Sequence, residues 1–200
     1  AESGAPALPG ICGHALPQVE IEIRGEDGRV LPCGEVGEIC VAPASAGPVA
    51  GVYTPMLGYW KKDAETRAAL RDGVLHTGDL GVLDEGGTLF IRGRIKELIL
   101  RGGANVYPAE VERVLHDDAR VAACAVLGRP DERLGERVVA FVQLVPGATL
   151  AVEELLARCR LELARYKVPE EVHFVESLPR TPMGKIRKPE LRALFESGVG

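Results

Sequence analysis

The apolar pattern of this chain changes character near Gly93, and that change limits the folds open to it. Before Gly93, short alternating segments are broken by Gly, Pro and Asp; beyond it, apolar runs alternate with segments of helical spacing. Val19-Glu20-Ile21-Glu22-Ile23 has period two, the mark of a half-buried strand, and Gly25 to Gly28 supplies the turn after it. Val36 to Val41 reads as a second strand, and residues 42–51 as a loop of small residues and Pro. Lys62 to Leu70 reads as a short helix broken by Asp72-Gly73. Val74 to Thr77 is strand-like, with Gly78-Asp79-Leu80-Gly81 at its end, and the turn at Asp84 to Gly87 leads into a strand over Thr88 to Arg92.

Beyond Gly93 a short strand is expected over Glu97 to Arg101, ending in Gly102-Gly103. Pro108 suits the first position of a helix, and Val111, Val114 and Leu115 follow at helical spacing. The runs 121–127 and 138–145 fit buried strands. Thr149 is placed to cap a helix with an apolar face of Leu155, Leu156, Cys159 and Leu163. A strand over Val172 to Val175, a loop over Pro179 to Gly184 and a helix opened by Pro189 complete the order β-α-β-β-α-β-α. The expected class is α+β: a β-rich part over residues 1–93, then a small α+β part over residues 94–200, with a hinge near 94–97.

The chain has 200 residues, 46% hydrophobic and 26% charged, enough for a packed core and unlike a disordered or collagenous chain. No apolar run nears the length of about 20 residues that a membrane span needs, and the first ten residues lack the basic start and apolar stretch of a signal peptide. The net charge of −5 argues against nucleic acid as the main partner. Charge is uneven: residues 1–93 carry 7 Lys and Arg against 13 Asp and Glu, and Arg180 to Arg192 holds five basic residues and one acid, Glu190. A solvated face is the plain reading of such a run. The five cysteines form no C-x-x-C, so neither a disulfide framework nor a zinc site is expected, and reduced thiols suit a cytoplasmic protein. None of the four histidines stands four residues from another, so a helical metal pair is excluded and ordinary structural roles are expected.

Four segments hold more Gly, Pro and charge than structure alone needs. In His76-Thr77-Gly78-Asp79, an aspartate after Gly at a strand end can accept two hydrogen bonds from a vicinal diol such as ribose, or simply cap a turn. In Gly93-Arg94-Ile95-Lys96-Glu97, Arg94 offers a planar fork for ribose or phosphate oxygens; a charged hinge loop is the alternative. In Arg101-Gly102-Gly103-Ala104-Asn105-Val106-Tyr107-Pro108, two glycines permit close backbone approach by a ligand, or form a strand-to-helix turn. The fourth segment runs from Pro179 to Lys188. Its Gly184-Lys185 matches the end of a P-loop, but Pro179 stands where that loop needs Gly and Ile186 where it needs Ser or Thr. A lysine in a Pro-stiffened loop can still present a point charge to an anion.

In order and spacing these segments, with Pro9-Gly10-Ile11-Cys12-Gly13, Gly34-Glu35-Val36-Gly37-Glu38-Ile39 and Gly58-Tyr59-Trp60, resemble the C-terminal portion of the adenylate-forming enzymes over essentially the whole chain. That superfamily comprises acyl- and aryl-CoA synthetases, luciferases and peptide-synthetase adenylation domains. Gly102-Gly103-x-Asn105-x-x-Pro108-x-Glu110-x-Glu112 and Pro-Arg-Thr-Pro-x-Gly-Lys are similar to the CoA-ligase branch.

The resemblance implies an ATP-dependent acid–CoA ligase. Its members join a small carboxylic acid to AMP with Mg2+-ATP, release pyrophosphate, and pass the acyl group to the thiol of CoA. It implies Lys185 as the catalytic lysine between carboxylate and α-phosphate, Asp79 and Arg94 as nucleotide-binding residues, Lys96 as the hinge, and Gly102 and Gly103 lining the path of CoA. Glu2 stands where the family has a glutamate facing magnesium, although Ala1 replaces the usual Thr. The family's Gly/Ser/Thr-rich phosphate loop and acyl pocket have no counterpart here, so the chain is expected to be a fragment, inactive alone. Two other readings stay open: a non-catalytic module binding a nucleotide or partner, and an adenylation domain loading a carrier-protein thiol.

Overall fold

A computed structural model describes residues 10–196. Contacts cluster into two compact units that divide between Lys96 and Glu97.

The first unit is an antiparallel sheet with one outlying helix. In chain order it contains β1 (Ile11–Gly13), β2 (Val19–Arg24), β3 (Gly37–Pro43), α1 (Asp63–Ala69), β4 (Leu70–Arg71), β5 (Val74–Leu83) and β6 (Leu89–Arg94). The sheet order is β1-β6-β5-β3-β2, and β4 pairs with the start of β5. Period-two alternation sorts the side chains onto two faces. Ile21, Ile23, Leu31, Ile39, Leu83 and Leu89 pack on one; Cys40, Ala42 and Val74 pack together elsewhere. The helix α1 buries no residue and ends at Ala69 rather than Leu70. Leu70 and Arg71 instead join a hairpin whose two-residue turn, Asp72-Gly73, has φ of 50° and 79°. Positive φ at both positions is the type I′ geometry that fits strand twist, and Asp-Gly is suited to it.

The predicted strand at Val74 to Thr77 does not stop there. β5 runs on through Gly78 and Asp79 to Leu83, because the Gly-Asp pair forms a bulge inside the strand. On β3 the register moves from Cys40 opposite His76 to Glu38 opposite Leu80. Three residues of β5 thus stand against Ile39 alone, and Gly78 takes φ 72° to allow it.

The second unit starts within a 3-10 turn at Ile95–Glu97. It continues as β7 (Ile99–Arg101), β8 (Ala104–Val106), α2 (Pro108–His116), β9 (Val121–Asp131), β10 (Gly135–Leu144), α3 (Val152–Glu162), β11 (Glu171–Phe174) and α4 (Lys188–Glu196). β10 pairs antiparallel with β9 and parallel with β11, and at its first residue meets β7. Both faces of this sheet are covered, so β9 and β10 are apolar almost without interruption. Val121, Cys124, Val126, Val138, Ala140 and Val142 pack with α2 and α3 residues. Ala123, Ala125, Leu127, Val139 and Phe141 pack with Leu178, Leu191 and Phe195 on the other side.

The architecture is the expected β-rich part followed by an α+β part, with three further local differences. The strand before Gly102-Gly103 is half of a β7–β8 hairpin, so the order gains a strand. Thr149 caps nothing: α3 starts after Ala151, whose amide donates to Glu154 Oε1 at 3.3 Å. The basic run from Arg180 is not uniformly solvated, since Lys188 is largely covered.

Candidate active site

A cleft of about 430 Å³ in the first unit is lined by Glu38, Tyr59, Lys62, His76, Thr77, Gly78, Asp79, Arg94 and Lys96, among others. Three residues singled out from sequence, Asp79, Arg94 and Lys96, therefore share one cavity. Asp79 and Arg94 are direct partners across β5 and β6, and Arg94 Nε lies 3.0 Å from Asp79 Oδ1. The bulge aims this pair: Asp79 sits within a strand rather than at its end.

The bulge is pinned from β3. Gly78 N–H donates to Glu38 Oε1 at 3.0 Å, and Thr77 Oγ1 donates to the Ile39 carbonyl at 2.7 Å. The Asp79 amide donates to Thr77 Oγ1 at 3.1 Å. Glu38 Oε2 lies 2.8 Å from His76 Nδ1, and Cys40 Sγ lies 3.4 Å from that nitrogen. Burial, with the charge of Glu38 adding to it, pushes the Cys40 thiol up to about 11. Sequence reading passed over Glu38, Cys40 and His76 as a group because 36 residues separate Cys40 from His76 and only strand pairing unites them. The visible signal was Glu38 and Cys40 two apart on a strand, hence on one face.

In the second unit, Lys185 sits at the end of a tight hairpin turn. Gly184 N–H donates to Thr181 O, and Thr181 N–H to Lys185 O, each at 2.8 Å. Arg180 and Ile186 form a bridge, and Gly184 has φ 83°. This is a type I turn closed by a glycine in the left-handed region, with Pro182 at the turn's second position. Arg180 Nη1 donates to Gly184 O at 2.9 Å. Lys185 is exposed, and its ammonium has no partner among the described residues.

Lys188, three residues on, behaves oppositely. Its Nζ lies 2.7 Å from Glu97 Oε2 and 2.8 Å from Glu112 Oε1, and its side chain is only 16% exposed. Burial alone would lower its pKa, but Glu112 and Glu97 outweigh burial and raise it. Glu112 Oε1 also accepts the Val126 amide at 2.8 Å. The lysine hairpin is thereby tied to α2, β9 and the first residue of the unit. Read from sequence, Lys188 was one member of a basic run; its two carboxylates lie 76 and 91 positions away.

Gly102 and Gly103, with φ of 57° and 81°, form a type I′ turn joining Arg101 to Ala104. A side chain on Gly103 would meet nothing within 4 Å, so the outer face of the turn is open. Arg101 beside it is held by Glu170 at 2.6 Å. Lys96 is exposed in the 3-10 turn at the division between the units. Glu2 lies outside the described residues.

The AMP-binding enzyme C-terminal domain family matches residues 110–185. A fatty acid–[acyl-carrier-protein] ligase of Streptomyces coeruleorubidus is 44% identical over 183 residues, 92% of this chain and 34% of that protein. An indoleacetate–CoA ligase of Aromatoleum aromaticum is 43% identical over 185 residues, 92% of this chain and 34% of its own length. Among solved structures, ATP-bound MatB from Rhodopseudomonas palustris superposes with a TM-score of 0.82 at 37% identity, over 98% of this chain and 38% of that one. The chain thus spans about a third of the length of the curated relatives it matches. By this similarity and by the order of its motifs, the chain belongs to the acyl-CoA synthetase (AMP-binding) superfamily and corresponds to the C-terminal portion of its members.

Proposed function

We propose that this chain is part of an acid–thiol ligase that activates a carboxylic acid with ATP and passes the acyl group to CoA. The observation that carries the reading is the division of labour between charged groups. Asp79 is half-buried and paired with Arg94 in a cleft, whereas Lys185 stands unpaired among the described residues on a stiff turn. A carboxylate in that position suits a ribose diol, which donates two hydrogen bonds to it; Arg94 pairs with one of its oxygens and offers its remaining N–H groups to nearby oxygens. An unpaired lysine suits two anions that must meet. Set between a substrate carboxylate and the α-phosphate, the Lys185 ammonium offsets their repulsion and stabilises the charge that builds up as the oxygen attacks phosphorus. The acyl-adenylate formed is then attacked at its acyl carbon by a thiol, and AMP leaves.

Lys96 at the division between the units is the proposed pivot for exchanging the lysine turn with the Gly102-Gly103 turn. The open outer face of the latter would let a thin pantetheine chain pass close to backbone. CoA is the proposed acceptor on the CoA-ligase pattern of both turns. A carrier-protein thiol is the second reading, favoured by the identity to the carrier-protein ligase.

The Glu38, Cys40 and His76 cluster offers thiol and imidazole where Mg2+ takes oxygen, so it is not the place for Mg2+; Glu2, the residue that the resemblance assigns to Mg2+, lies outside the described residues.

The test uses the full-length protein and both half-reactions. Lys185→Ala is expected to lower ATP–pyrophosphate exchange about 10²–10³-fold, while thioester formation from preformed acyl-adenylate stays near normal. Equal loss of both would overturn the role of Lys185. Comparing CoA with a carrier protein as acceptor in the second assay decides between the two thiols.

A further inference from the structure

The sheet of the first unit gathers three donors that the proposed chemistry does not use. Glu38 and Cys40 project from the same face of β3, and His76 is the direct partner of Cys40 on β5. Glu38 Oε2, Cys40 Sγ and His76 Nδ1 all lie within 4.8 Å of one another. We propose that these three residues form a binding site for a thiophilic divalent cation of the Zn2+ type.

Three features support this. The first is donor chemistry: one thiol, one imidazole and one carboxylate is a set that Zn2+ takes and Mg2+ or Ca2+ does not. The second is size. Tetrahedral Zn2+ with bonds of about 2.0–2.3 Å places a nitrogen about 3.4 Å from an oxygen and about 3.6 Å from a sulfur. The observed separations are 2.8 and 3.4 Å, so a cation replacing the shared hydrogens needs His76 Nδ1 to part from the carboxylate by about 0.6 Å and from the sulfur by about 0.2 Å. The third is support and access. Glu38 keeps its other oxygen on the Gly78 amide, which orients the carboxylate as an outer hydrogen bond orients a ligand. Cys40 is fully buried, but Glu38 and His76 line the cleft, giving the ion a way in and a water a fourth position.

Protons balance simply. Cys40 enters as thiolate and gives its proton to solvent; the hydrogen that Nδ1 shares with Glu38 moves to Nε2, leaving Nδ1 free to coordinate. The carboxylate needs no change. Occupation also touches the bulge, since the Glu38 carboxylate holds both the ion and Gly78, the residue before Asp79.

Co2+ is the probe, because a thiolate ligand gives it a ligand-to-metal charge-transfer band. The 200-residue chain, with Cys12→Ser and Cys33→Ser to remove the exposed thiols, is titrated with Co2+ under a non-chelating reductant. The expected result is one ion per chain with a thiolate band, displaced by Zn2+. Cys40→Ser abolishes the band, and Glu38→Gln weakens Co2+ binding at least about tenfold, the loss that removing even an outer-shell partner causes. No thiolate band at saturating Co2+ overturns the site, and so does a band that survives in Cys40→Ser. Should Cys40→Ser not fold, unchanged Co2+ affinity in Glu38→Gln overturns it alone.

Discussion

Replacing Lys188 with Met should unfold the second unit far more readily than its surface-like sequence context suggests. The ammonium sits between Glu97 and Glu112 at 2.7 and 2.8 Å, and the substitution keeps its volume while removing its charge. Two carboxylates are then left facing each other without a cation. Removing one partner from a fully buried pair costs about 3–5 kcal/mol. Here Glu97 and Glu112 keep 38% and 23% exposure, so water screens part of the repulsion and about 2–3 kcal/mol is expected. For a unit of this size that lowers Tm by about 10 °C. Hydrogen exchange read by mass spectrometry in denaturant separates the units: β9 and β10 peptides should lose protection in Lys188→Met while β3 and β5 peptides hold theirs. Adding Glu97→Gln and Glu112→Gln removes the orphaned charges and should recover more than half of the loss. If the triple variant is no more stable than Lys188→Met, the lysine acts by packing and the electrostatic argument is wrong. A loss under about 0.5 kcal/mol would place Lys188 with ordinary surface pairs.

Thiol reactivity should divide two to three. Cys12 and Cys33 are exposed, whereas burial raises Cys40, Cys124 and Cys159 to about 11, 12 and 11, so a thiol reagent at neutral pH should label two sites on the folded chain and five on the unfolded one. The same shifts set an alkaline limit. Above pH about 9 the unfolded thiols ionise while the folded ones stay protonated, so stability falls with rising pH, measurable as a declining denaturation midpoint. At the acid end, the Arg120 guanidinium and amide hold Asp118 down to about 2; its contribution is full above the usual aspartate pKa and is lost as pH falls from about 4 toward 2, and Asp118→Asn should flatten that part of the stability profile. Gly37→Ala should cost about 2 kcal/mol or more and shift the β3 denaturation midpoint, because the added Cβ would lie within contact of the Arg24 carbonyl, which a strand cannot move aside.

Local rules carried much of the fold because they act within a few residues. The alternation at Val19 to Ile23, the glycine punctuation and Pro108 each state a backbone preference that the tertiary structure does not overrule. The candidate charges were legible for the same reason: Asp79, Arg94, Lys96 and Lys185 each stand beside a glycine or at the change of pattern. Pairing across distance was hidden. A strand read as ending at Thr77 runs to Leu83, since the bulge is stabilised by Glu38, some 40 residues away. The union of Cys40 with His76, and of Lys188 with Glu97 and Glu112, depends on which strand lies beside which and on which helix covers them. Periodicity says that a residue faces inward; only packing decides what it meets there, because the cost of leaving a buried charge or thiol unmatched is settled by the neighbours that the whole fold brings to it.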